Sequence, residues 1–153
     1  MTSRYADLTG EEAMAARRAR ADFDQVRALL KVADEQHAAI VDAGYPRGSA
    51  QALANTYLVA ADAAEESDFT AWARDLRGDA RRALLVGWAR RKWPRDDIHL
   101  QNIIRLTAPR GREITQFTIR RSHSPLYAGR WASTWVDVAM DRRGRVRILQ
   151  ERR

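Results

Sequence analysis

The chain has no cysteine and only two lysines, Lys31 and Lys92, among its 153 residues. The first absence excludes disulfides, thiolate metal sites and a cysteine nucleophile. The second leaves the expected strands without lysine, which argues against a metal-dependent nuclease built on a strand lysine. There is no long apolar run either. The longest uncharged stretch, Gly48–Ala61, contains Gln51, Asn55 and Thr56 and is too short to span a bilayer. The opening residues MTSRYADLTGEEAMAARRAR lack the apolar core of a secretory signal. These features lead us to expect a cytoplasmic protein with no membrane partner. The glycines are scattered and form no phosphate-binding loop, and no HExxH, EF-hand or paired Cys/His spacing occurs. No metal and no cofactor is expected.

What the chain does have is arginine, 25 in all, distributed unevenly. Residues Met1–Ala73 carry 7 Lys+Arg against 12 Asp+Glu, while Arg74–Arg153 carry 20 against 8. A GC-rich coding background explains a preference for arginine over lysine, but it does not explain crowding into one half. A basic half creates an attractive field for polyanions, which says something about partners and nothing about fold.

One compact domain over 1–153 is expected, with a helical half at 1–94 and a sheet half at 95–153. Thr9-Gly10-Glu11-Glu12 has the spacing of a capping box. Behind it Phe23, Val26, Leu30, Ala33, His37 and Ile40 recur at helical spacing, predicting a first helix from about Gly10 to Ala43 with His37 packed along its stripe. A second helix begins at Ser49 and carries the narrow, mostly small-residue stripe Leu53, Tyr57, Ala60 and Ala64. The acidic cluster Glu65–Asp68 ends it. A third helix carries Phe69, Trp72, Leu76, Ala80 and Ala83 and stops at Trp93-Pro94. Its residues Arg74, Arg77, Arg81 and Lys92 share one sector and read as a solvated basic stripe.

Beyond Pro94 the apolar period falls from 3.6 to 2. Strands are expected near Ile98–Thr107, Glu113–Arg121, Trp131–Met140 and Arg145–Gln150, joined by the turns Ala108–Gly111 and Asp141–Gly144 and a longer loop over Ser122–Arg130. The expected fold is α+β: three N-terminal helices packed on one face of a C-terminal four-stranded antiparallel meander.

Alternation divides the sheet into two faces. Leu100, Ile104, Leu106, Phe117, Ile119, Ala132, Thr134, Val136, Val138, Met140, Val146 and Ile148 form a core face. The second face holds His99, Gln101, Ile103, Arg105, Gln116, Thr118, Arg120, Trp131, Ser133, Trp135, Asp137, Arg145 and Arg147. That mixture suits nucleic acid. Arginines neutralise phosphates. Trp131 and Trp135 lie on the same side of one strand and can stack unpaired bases, which favours RNA or single strands. The expected contact residues are therefore Arg105, Arg120, Arg121, Trp131, Trp135, Arg145 and Arg147, with Arg91 and Lys92 from the end of the third helix.

Two alternatives use the same residues. In one, this face is buried against a second copy of the chain or an acidic protein surface. In the other, His99 and His123 act as the acid–base pair of a metal-independent ribonuclease, with an arginine holding the phosphate. Strict pairing puts His99 opposite Arg120, so His123 has to fold back to join it. Asp137 and Asp141, four apart on one strand and its turn, read as bridging or hairpin-capping residues. A binding protein is favoured over an enzyme.

Overall fold

The structure, a computed structural model, describes residues 9–108, 112–123 and 132–153, and the side chains of the same residues except 102–108, 112, 113, 123 and 132. Three helices, α1 (Gly10–Asp42), α2 (Ser49–Glu66) and α3 (Thr70–Lys92), precede four strands, β1 (Asp97–Ala108), β2 (Arg112–His123), β3 (Ala132–Met140) and β4 (Val146–Arg152). The strands pair in sequence order, each antiparallel to the next. This is the α+β meander that the change of period predicts.

The capping box at the start of α1 forms in both directions. Glu12 N–H donates to the Thr9 hydroxyl (3.2 Å), and Thr9 N–H donates to the Glu12 carboxylate (3.0 Å). Along α1 only Val26, Ala33 and Ile40 are buried. They are seven residues apart, so the covered stripe touches only every second turn. His37, expected to pack on it, is exposed. On α2, Leu53, Ala54, Ala60, Ala61 and Ala64 are all buried. These residues span two adjacent sides of the helix, which is why small side chains dominate.

The chain divides into two compact units, and the division falls inside α3. One unit comprises Met1–Gly44 and Gln51–Ala80. Its core is Val26, Ala60, Ala61, Ala64, Ala73 and Leu76. Phe23 and Phe69 flank Trp72 at 5.2 and 6.0 Å between ring centroids. On α3, Arg77 donates to Glu65 and to Asp62 (3.4 Å) of α2. The basic stripe read as solvated is thus partly a helix–helix contact.

The other unit comprises Tyr45–Ala50 and Arg81–Arg153. Leu85 and Ala89 of α3 join Ile98, Phe117, Ile119, Val136, Val138 and Met140 in one buried cluster, with Leu84, Trp88, Leu100, Val146 and Ile148 packed around it. These strand residues belong to the expected core face or, in the case of Ile98, share its alternation. Thr115, on the same side, is also buried and accepts a hydrogen bond from Arg81 (3.3 Å). Gly87 of α3 meets Ala50 so closely that a Cβ built on it would lie 2.3 Å from the Ala50 Cβ.

Two irregularities break the alternation, one in each edge strand. In β1 the pairing shifts between Leu100 and Asn102, leaving Gln101 as an extra residue. Beyond it Ile103 pairs with Phe117 and Arg105 with Thr115. The register thus puts Arg105 in the rows of the core residues rather than in the row of Arg120, where simple alternation expects it. In β4 the extra residue is Leu149, since Ile148 pairs with Val138 and Gln150 with Asp137. Bulges of this kind reverse which residues share a face.

Gly87→Ala is expected to destabilise the protein by about 1–3 kcal/mol through overpacking, and adding Ala50→Gly should recover part of the loss in denaturant unfolding. A second expectation concerns Tyr57. Burial pushes its phenol above the ordinary tyrosine range, and the Asp79 and Asp34 carboxylates push the same way. The folded chain therefore keeps this proton longer than the unfolded one. The associated stability is whole below the unfolded value of about 10 and is lost as pH rises through the higher folded value. Alkaline titration should show a phenol ionising late by tyrosinate absorbance, and Tyr57→Phe should remove that step.

Candidate nucleic-acid interface

The second face is organised in cross-strand rows. His99 pairs with Arg120, Arg120 with Trp135, and Trp135 with Arg152, giving one continuous row over all four strands. His99 and Arg152 are exposed, while Arg120 and Trp135 are half-buried. Opposite residues in an antiparallel ladder share a face, so the four side chains stand on the side away from the buried cluster. The Arg120 Nε is shielded from solvent and has no hydrogen-bond partner among the described residues.

The next row is polar and anchors the first. The Thr118 hydroxyl donates to Asp137 Oδ1 (2.9 Å), and Arg152 donates to the same oxygen (3.1 Å). Of the bridging and capping roles expected, Asp137 thus takes the bridging one. Trp135 Nε1–H points to the Gln101 side-chain oxygen at 3.4 Å. The Gln101 bulge in β1 therefore brings an amide beside the indole. A third row contains Gln116, Ala139 and Arg147, the last of them exposed.

The other expected contact residues fare differently. Trp131 lies outside the described residues, as do the side chains of Arg105 and His123. His99 does pair with Arg120, but β1 begins at Asp97, which pairs with Ser122, so His123 lies one residue beyond that ladder and pairs with Ala132 instead. Arg145 and Arg147 are exposed. Arg91 is exposed and its Nε donates to the Gly87 carbonyl (3.3 Å).

Arg121 has a structural role. It lies in the rows of Ile119 and Phe117, on the core side. Its Nε and Nη2 both donate to Asp96 Oδ2 at 2.8 Å, with the two side chains only 17% and 11% exposed. Its guanidinium lies 4.5 Å from the centre of the Trp93 ring. Trp93 meets Trp88 edge-on at 5.5 Å, and the Lys92 ammonium lies 5.7 and 5.9 Å from those two rings. Through Asp96 and Trp93, Arg121 pins the junction between α3 and β1 to the end of β2. Among the described residues no cluster of His, Asp and Glu is suited to a metal ion.

Arg152 is the member of this row that alternation did not place there. Strict alternation along β4 assigns it to the face of Val146 and Ile148, and only the Leu149 bulge moves it across. The adjacent apolar pair Ile148-Leu149 is the one local sign of that bulge.

No protein-family model matches the chain, and no curated protein or solved structure matches it. No helix among the described residues is long and apolar enough to cross a membrane.

Removing one partner of a mostly buried ion pair leaves the other charge stranded. Arg121→Ala or Asp96→Asn is therefore expected to cost on the order of 3 kcal/mol in denaturant unfolding. The exposed Arg91→Ala should change stability by less than about 0.5 kcal/mol.

Proposed function

We propose that the protein binds nucleic acid, single strands of RNA or DNA in preference to duplex, through the second face of the sheet. The observation that supports this is the row His99–Arg120–Trp135–Arg152. It sets an aromatic ring between two guanidinium groups on a face that stays open at both ends of the row. Trp135 supplies a stacking surface for an unpaired base, which carries no sequence requirement. Arg120 and Arg152 supply positive charge next to that ring, where the backbone of a stacked nucleotide would run. Thr118, Gln101 and Gln116 add hydrogen-bonding groups beside it. A single imidazole in the row does not make an acid–base pair, so binding without cleavage is the expected behaviour.

The test is fluorescence anisotropy with labelled single-stranded RNA and DNA at two salt concentrations, with gel analysis of the RNA afterwards. Wild-type protein should bind at low salt and leave the RNA intact. Trp135→Ala should weaken binding by about 1–3 kcal/mol for each base it stacks, and Arg120→Ala should weaken it further. Absence of binding at low salt would overturn the reading. If light scattering then showed a discrete oligomer, the face would be a subunit interface instead.

A further inference from the structure

Several arginines of the basic half are already engaged within the protein. Arg77, Arg81, Arg121 and Arg152 each donate to a side chain of the protein itself. Arg90 lies 5.6 Å from the Tyr45 ring, and Arg91 bonds the Gly87 carbonyl. The turn between β3 and β4 is different. Arg142, Arg143, Arg145 and Arg147 are all exposed. Among the described residues none of their guanidinium groups is paired with a carboxylate.

Three of these side chains stand on a turn that is held firmly, and the fourth, Arg147, stands at the start of β4. Asp141 Oδ1 accepts from the backbone N–H groups of Arg143 (2.9 Å) and Arg145 (3.0 Å). The Asp141 N–H donates to the Arg145 carbonyl, and the Gly144 N–H donates to the Asp141 carbonyl, both at 3.1 Å. Gly144 takes φ 79°, the left-handed position that closes a three-residue hairpin loop. The acidic residue of the turn thus directs one carboxylate oxygen inward to backbone amides while the arginines project outward. Arg145 and Arg147 flank Val146, so the positive charge continues from the loop onto β4. Arg147 pairs with Ala139, four residues from Trp135 along β3, or about 13 Å at strand spacing.

We propose that the β3–β4 hairpin is the phosphate grip of this protein: Arg142, Arg143 and Arg145 hold the sugar–phosphate backbone of a strand whose base stacks on Trp135. The inference rests on the nucleic-acid reading of the sheet face and divides its work. Most of the salt-dependent affinity comes from the hairpin, where the guanidinium groups have no carboxylate partner among the described residues to give up. Stacking comes from Trp135 and is insensitive to salt. A turn already ordered by Asp141 loses little freedom when it binds.

The experiment is a salt titration of single-stranded RNA binding by wild-type protein, the triple variant Arg142→Ala/Arg143→Ala/Arg145→Ala, and Trp135→Ala. Circular dichroism melting checks that each variant folds. For three lost phosphate contacts, the slope of log affinity against log salt should flatten by about 2, with affinity at low salt falling roughly tenfold or more. Trp135→Ala should lower affinity at every salt concentration and leave the slope unchanged. A folded triple variant that binds with the wild-type slope would overturn the hairpin proposal and leave the sheet-face reading standing. Failure of the wild-type protein to bind at low salt would overturn both.

Discussion

The sheet depends on keeping one apolar patch closed. Phe117, Ile119, Val136 and Val138 are buried together with Leu85 and Ala89 of α3. Side chains alternate along a strand, so a slip of one residue in β2 or β3 would turn Arg120, Trp135 or Asp137 into that cluster. Burying an unpaired guanidinium or carboxylate there would cost far more than a registered pair returns. The two middle strands accordingly pair without interruption from Thr115 to His123. Both bulges fall in the edge strands, where only one ladder has to absorb the extra residue and where irregularity also discourages pairing with another chain. The polar, aromatic composition of the second face is thus a consequence of the core's demand for register.

The same constraint explains how the positive charge is used. Composition alone counts every arginine of the basic half as surface potential. In the fold, several are structural. Arg121 closes the junction between α3 and β1 against Asp96 and Trp93, and Arg81 reaches the buried Thr115. Arg77 ties α3 to the acidic end of α2. The cluster at the end of α3, dense in sequence, is therefore largely occupied by rings and carbonyls. Among the described residues, the densest run of exposed arginines without a carboxylate partner lies in the hairpin that Asp141 and Gly144 shape and the start of β4.

Much of this was legible in the chain. Thr9 and Glu12 announce the start of α1, Trp93-Pro94 marks the end of α3, and the alternation of Phe117, Ile119, Val136 and Val138 places the core face correctly. These signals are local: a cap, a proline and a period each act within a few residues. The position of Arg105 and the arrival of Arg152 beside Trp135 were not legible, because each depends on a bulge. A bulge in an edge strand answers to twist and to the partner strand; Gln101 carries no chemistry that announces one, and the apolar pair Ile148-Leu149 only hints at the other. The exposure of His37 was hidden for a related reason. Its angle on the helix matches the stripe, but burial also requires a neighbour at the same height.

The sequence by itself determined the kind and order of the elements, the pairing of neighbouring strands, and the separation of an apolar face from a basic one. Period and turn chemistry are properties of adjacent residues, and they need no distant partner. Only the tertiary structure decided which residues complete the row across the sheet and which arginines are already committed. Those outcomes turn on contacts between residues far apart in the chain, such as Arg121 with Asp96 and Arg152 with Asp137, and on single extra residues that shift a ladder by one step.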